Sequence, residues 1–253
     1  MPDGFFINTK RDSVMSNQTV PFDWTPYFVC QRIDEKRQPE MLNLAYALRY
    51  EVYCLDCHFL PAENYPNDFE TDAFDEQSMH FCANNLRDEM VGYVRLVTAR
   101  ENHHAFPYER HCQKFFPYTK PPRQESAEIS RLIVRRDYRR RRSDILAGVT
   151  IQTHESDGRE VLHDRRKPPQ ILLGLYRQMY MYSNQSGIRY WYAAMERPLA
   201  RALRQLGFGF KPISPEMDYY GKVASYLADL RQIELHLEGS NPMLLSWFQQ
   251  ETS

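Results

Sequence analysis

Apolar and polar positions along the chain change period several times, and each change marks an element. Residues 27–33 read as a first strand. Over residues 40–54 Met41, Leu44, Ala45, Leu48 and Val52 fall on one stripe of an amphipathic helix, with Pro39 suited to its first turn. Residues 60–77 lose any period and fill with Pro, Asn and acidic side chains. The aromatics Tyr65, Phe69 and Phe74 within them predict a long ordered loop and not a linker. Residues 79–83 and 90–98 predict a hairpin across the polar turn 84–89, and residues 127–134 a further strand.

In the second half strands alternate with helices. Residues 145–151 are apolar and helix-compatible, whereas 155–167 are densely charged and predict a disordered insertion. Pro168 and Pro169 introduce a helix through about residue 183, with Ile171, Leu172, Leu175, Met179 and Tyr182 on its buried face and Gly187 beyond its end. Residues 188–195 predict a strand, 197–206 a helix stopped by Gly207, 208–213 a strand and 232–237 another. An antiparallel start followed by such alternation implies an α/β (α+β) chain with a mixed central sheet and helices on both faces. No repeat or composition shift forces a boundary. The expected organisation is a flexible extension at 1–25, one domain at 26–238 and a tail at 239–253.

Composition narrows the function classes. A net charge of -1 over 253 residues makes any basic cluster local, which argues against a protein that coats nucleic acid. Five cysteines without a preceding secretory apolar segment fit a reducing cytoplasm. No stretch approaches the roughly 20 apolar residues that span a bilayer. Against this background residues 126–142 stand out. An apolar run carrying Glu128, Ser130 and Arg131 leads into Arg135, Arg136, Arg139, Arg140, Arg141 and Arg142, a reacting centre beside an anion site or a core strand ending in a solvated basic turn.

Four blocks carry a family resemblance: Leu48-Arg49-Tyr50-Glu51-Val52-Tyr53, Glu70-Thr71-Asp72-Ala73-Phe74-Asp75, Gly92-Tyr93-Val94-Arg95-Leu96 and Glu128-Ile129-Ser130-Arg131. In this order and spacing they resemble the autoinducer-synthase and N-acyl amino acid synthase branch of the Gcn5-related N-acyltransferases (GNAT), over about residues 26–225. Trp191-Tyr192-Ala193-Ala194-Met195-Glu196, and Pro212-Ile213-Ser214-Pro215 running on to Asp218-Tyr219-Tyr220-Gly221, resemble the exosortase-associated acyltransferases of PEP-CTERM systems. Tyr53 stands where the autoinducer synthases prefer Phe, and Phe59 is all this chain offers for their Trp. Those departures point away from homoserine-lactone synthesis and toward acylation of another amine.

The resemblance implies a GNAT-like acyl-CoA N-acyltransferase fold and direct attack of an amine on a thioester in a ternary complex. Amide formation needs a neutral nitrogen, charge stabilisation at the carbonyl oxygen and a dry acyl slot. Glu128 first, then Glu70 and Asp72, are the expected proton acceptors. Arg49, Tyr53, Asp75, Arg95, Phe106, Ser130 and Arg131 are expected to bind substrate or organise the site, with Phe106 either lining an acyl pocket or serving as core. Family donors wrap a pyrophosphate with a glycine-containing loop, but Arg139-Arg140-Arg141-Arg142 has no glycine before Gly148. Exposed arginines suit the single phosphate of an acyl carrier protein better than coenzyme A, the other co-substrate. No tightly bound cofactor or metal is expected. Transient membrane contact through a lipid product is allowed for.

Other readings compete. The arginines and carboxylates of the four blocks could form an ion-pair network pinning the acidic loop to the sheet. Cys54, Cys57 and His58 lack a second metal-binding pair, and His103, His104, His111 and Cys112 read as surface loop. Trp191, Tyr192, Met195, Tyr176, Tyr180 and Tyr182 fit a core better than a tunnel. From another class, the chain could be a catalytically silent module that binds acyl carriers or lipid signals.

Overall fold

The computed structural model describes residues 27–99, 105–138, 170–219 and 221–250. In chain order these form β1 (Phe28–Arg32), α1 (Pro39–Tyr50) continued by a π-helical turn (Glu51–Asp56), β2 (Ser78–Asn85), β3 (Met90–Thr98) and α2 (Pro107–His111). There follow β4 (Ser126–Val134), α3 (Gln170–Gln185), β5 (Tyr190–Glu196), α4 (Arg197–Gln205), β6 (Lys211–Pro212), β7 (Met217–Asp218), β8 (Lys222–Asp229), α5 (Leu230–Ser240) and α6 (Pro242–Gln249). The strands make one mixed sheet in the order β1-β2-β3-β4-β5-β8-β6, with β7 also on β8. β4 and β5 pair in parallel, and the other ladders are antiparallel.

Alternation along the strands divides the sheet into two chemically different faces. Phe81, Val94, Leu96, Ile129, Trp191 and Ala224 enter the main core with α3, α4, α5 and α6. Gly92 lets α3 approach, because a Cβ there would lie 2.6 Å from Ile171. Trp191 is sealed on this face, its indole N–H donating to Ser183 Oγ at 2.9 Å, so with Tyr176, Tyr180 and Met195 it is core. The opposite face carries His80, Tyr93, Arg95, Glu128 and Tyr192. α1 and the π-helical turn after it cover part of it, through Ala45, Leu48 and Val52 packed on Cys82, Tyr93 and Ile133.

Two departures from regular pairing shape that second face. Tyr93 pairs with Ile133 and Arg95 with Ser130, so Arg131 and Leu132 together oppose Val94 in a β-bulge. Arg131 sits there in the left-handed region at φ 55°. In addition, the parallel ladder runs from Ser126 opposite Tyr190 to Ile129 opposite Ala193 and stops, although both strands continue. β4 then pairs only with β3 and β5 only with β8, which opens the sheet beside Ser130.

Most predicted elements appear in place, and several do not. Residues 208–213 hold only the two-residue β6; Phe208 and Phe210 are buried core in irregular chain after Gly207, whose φ is 96°. Residues 232–237 are helical, within α5. Ile233, Leu235 and Leu237 mimic strand alternation, but Ile233 and Leu237 share the buried side while Leu235 is 62% exposed. The expected tail contains α6, capped by Asn241 Oδ1 accepting from Leu244 N–H at 3.1 Å and anchored by buried Leu244 and Phe248. β8 was not anticipated, and α2 occupies part of what reads as a surface loop. Residues 1–25, His103, His104, Arg139 to Arg142, 145–151, 155–167, Pro168 and Pro169, for which the sequence carries expectations, lie outside the described residues.

Candidate active site

Arg49 lies on the buried side of α1, four residues from Ala45, and is fully enclosed. Its charge is met by the loop leading into β2. Glu70 is tied to the helix by its backbone N–H, which donates to Tyr46 O at 3.2 Å. Asp72 Oδ1 accepts from Phe74 N–H (2.8 Å) and Asp75 Oδ2 from Asp72 N–H (2.7 Å), so the two aspartates fold their own backbone into a tight turn. The acidic loop thereby holds three carboxylates in fixed positions.

Three arginines from three elements engage them. Arg49 donates from Nε to Glu70 and from Nη1 to Asp75, each at 2.6 Å. Arg95 on β3 donates from Nη1 to Asp72 (2.6 Å) and Asp75 (2.7 Å), and from Nη2 to Asp72 (2.9 Å) and Ser130 Oγ (3.2 Å). Arg131, aimed by the bulge, donates from Nε to Glu70 Oε2 (3.1 Å), and from Nη2 to Glu70 Oε1 (2.9 Å) and Asp72 Oδ2 (3.0 Å). Tyr53, on the π-helical turn, lies under the Arg131 guanidinium, 5.2 Å from carbon to ring centre. Burial alone would raise the three carboxyls. Arg49 and Arg131 outweigh it at Glu70, Arg95 at Asp72, and Arg49 with Arg95 at Asp75, so all three are held below the usual carboxylate range. The network balances three charges of each sign, and its solvent-touching edge is Arg131 with Asp72, side chains 18% and 25% exposed.

Glu128 occupies the same face of β4, two residues and about 7 Å from Ser130. Its surroundings are aromatic and not cationic. Phe106, Tyr108 and Tyr192 cluster on this face, Tyr108 and Tyr192 with ring centres 4.6 Å apart and Phe106 5.7 Å from Tyr192. Glu128 Oε2 accepts the Tyr108 backbone N–H at 2.9 Å, and no arginine bonds to Glu128 among the described residues. Burial therefore dominates. It pushes the carboxyl from an ordinary 4.5 up to about 8, against smaller opposing pulls from the Tyr108 N–H and Arg95.

The sequence-predicted site residues Arg49, Tyr53, Glu70, Asp72, Asp75, Arg95, Ser130 and Arg131 come together in one network. Phe106 joins Glu128's niche instead, at the N-terminus of α2. Sequence reasoning missed Tyr108, whose backbone fixes Glu128. The signal was Phe106-Pro107-Tyr108-Glu109, with proline in the first helical turn and Glu109 returning to bond Phe106 N–H at 2.9 Å. It also missed His80, buried on β2 with Nδ1 2.6 Å from the Tyr93 hydroxyl and held neutral by burial, its pKa lowered to about 4. Among the described residues no three His, Cys, Asp or Glu side chains gather as a metal site.

The mixed sheet, the bulged β4 and the opening beside β5 define a GNAT-like fold. Residues 48–148 match the family described as "Acetyltransferase (GNAT) domain", a segment that spans every site residue from Arg49 to Arg131. The solved structures of two CoA-dependent acyl-homoserine lactone synthases are similar. BjaI, with SAM and isopentyl-CoA, is 17% identical with a TM-score of 0.57, covering 84% of this chain and 89% of that one. MesI is 18% identical with a TM-score of 0.53, covering 89% and 97%. The AHL synthase LasI is 13% identical with a TM-score of 0.53, covering 84% and 94%. No curated protein matches the sequence. Likeness at these identities establishes the fold.

Proposed function

We propose that this protein is an N-acyltransferase that moves a fatty acyl group from a thioester to an amine, with Glu128 as the proton acceptor. The observation that carries this is a buried carboxyl, without an arginine bond among the described residues and raised to about 8, beside the point where the β4–β5 ladder ends. A carboxylate of that proton affinity is far better matched to an ammonium group than an ordinary one. In its ionised form, whose share grows as pH rises toward about 8, Glu128 takes the ammonium proton directly or through one water, the amine attacks the thioester carbon, the C–N bond forms and the C–S bond breaks. The sulfur leaves as thiolate, and the second proton that the nitrogen sheds on becoming the amide goes to that thiolate. Among the described residues the β4–β5 ladder ends at Ile129, and the β4 backbone at that point is where the carbonyl oxygen is received.

Glu70 and Asp72 take another role in this account. Proton affinity lowered by arginines suits them to positioning and not to proton transfer. The accessible edge of their network presents Arg131 and Asp72 side by side, one cation and one anion. That pair matches the carboxylate and ammonium of a zwitterionic amino acid. On the donor side, the glycine-free run Arg139 to Arg142 supports a carrier-protein thioester, coenzyme A being the alternative. The segments from Trp191 and from Pro212 support placement beside the exosortase-associated acyltransferases.

Mass spectrometry of lipid extracts from cells producing the protein, beside cells producing Glu128→Gln, tests the reading. New acylated amines only with the unaltered protein are expected. Identical extracts from two folded, abundant proteins would favour the silent binding module. Equal turnover of acyl coenzyme A and the carrier-protein thioester would remove the donor preference.

A further inference from the structure

From the last turn of α2 toward β4 the chain presents a segment with an unusual surface. Residues 110–123 contain Arg110, His111, Lys114, Lys120 and Arg123 and no Asp or Glu, although the whole chain is nearly neutral. Every residue from 113 to 117 is exposed, and at the tip two adjacent phenylalanines, Phe115 and Phe116, are 40% and 47% exposed. The loop is held to the fold at several points. Cys112 Sγ donates to Lys114 O (3.1 Å), Phe116 N–H to Ile213 O (2.8 Å), and Phe115 meets the edge of Tyr108 at 5.9 Å between ring centres. Lys120 and Arg123 share Glu109, at 2.7 and 2.6 Å, while Lys114 has no acidic partner among the described residues.

We propose that this loop docks the protein on an anionic phospholipid bilayer, with Phe115 and Phe116 entering the interface and Lys114, Arg110 and their neighbours meeting the headgroups. Adjacent exposed phenylalanines beside the exposed Lys114, on a segment that also presents Arg110 over the Phe74 ring, match a surface that is apolar beneath and negative above. Two other occupants fit less well. An acidic carrier protein would meet the cations but leave both rings wet. A second copy, contacting isologously, would set one cationic loop against another. The inference stands apart from the acyl-transfer reading, since it concerns where the protein sits and not what it catalyses.

Co-sedimentation of the full chain with vesicles tests it, using phosphatidylcholine alone and phosphatidylcholine mixed with phosphatidylglycerol. Binding to the mixed vesicles is expected, weakened by salt. Lys114→Glu, which removes one positive charge and adds a negative one, should weaken it about tenfold or more. Phe116→Ser should weaken it while leaving the salt dependence in place. Both side chains are exposed, so thermal melts should match the unaltered protein. Wild-type protein that stays in the supernatant with both vesicle types, or variants that bind as well as wild type, would overturn the proposal. Vesicle-independent dimerisation lost in both variants, or carrier-protein capture lost in both without vesicle binding, would overturn it in favour of a protein partner.

Discussion

One face of one sheet treats its carboxylates in two opposite ways. Glu70, Asp72 and Asp75 are buried or half-buried yet held ionised, because Arg49, Arg95 and Arg131 each bond to two of them. Glu128, a few ångströms along β4, is as buried but has aromatic rings and one backbone N–H for company. Burial is common to both regions; the presence of a paired cation is not. The comparison separates structure from chemistry, since a neutralised network supplies geometry while an unpaired carboxyl retains a proton it can exchange.

The sharpest way to break the contrast is to remove its two halves separately. Glu128→Gln should lower turnover by about 10²- to 10⁴-fold while leaving donor binding unchanged, as steady-state rates beside calorimetric titration would show. Arg49→Met leaves Glu70 to Arg131 and Asp75 to Arg95, with one buried negative charge in excess, and should cost about 3–5 kcal/mol in chemical denaturation. A variant Arg49→Met as stable as wild type would mean that the network does not hold the loop.

The two regions also make opposite demands on pH. Glu128 keeps its proton in the folded state where the unfolded chain has lost it, so stability should fall as pH rises from about 4.5 to 8, by at most about 1.4 kcal/mol per unit. Glu70, Asp72 and Asp75 are shifted the other way. Their contribution is present above about pH 4 and is lost as acid protonates them. Denaturation midpoints of Glu128→Gln should therefore lose the fall above pH 5 and keep the acid-side loss. The smallest effect belongs to Ser130→Ala, which removes the 3.2 Å bond from Arg95 at a cost of about 0.5–1.5 kcal/mol and should leave the alkaline profile unchanged.

Much of this was legible in the chain because the relevant signals are local. The α1 stripe, the β2–β3 hairpin and the apolar face of α3 follow from period and punctuation, and the charged residues of the four blocks other than Glu128 meet in one network. What was not legible depends on contacts distant in sequence. Glu70, Asp72 and Glu128 look alike as residue types, and only the meeting of Tyr108 and Tyr192 around Glu128, against arginines around the other two, divides their roles. Residues 232–237 of α5 read as a strand because Ile233, Leu235 and Leu237 alternate at period two, while Ile233 and Leu237 also fit one helix face, and only packing chooses between them. β8 reads weakly because it lies inside the sheet, where Ala224, Ser225 and Ala228 are small and buried and the usual polar alternation is absent.

The most direct test is to titrate Glu128 itself, following its side-chain carboxyl carbon by NMR in selectively labelled protein and assigning the signal by its loss in Glu128→Gln. A midpoint near 8 for Glu128, with those of Glu70, Asp72 and Asp75 below the ordinary carboxylate range, is the predicted result. A Glu128 midpoint near its ordinary 4.5 would contradict the account, because the carboxyl would then be as poor a match for an ammonium proton as its arginine-bound neighbours.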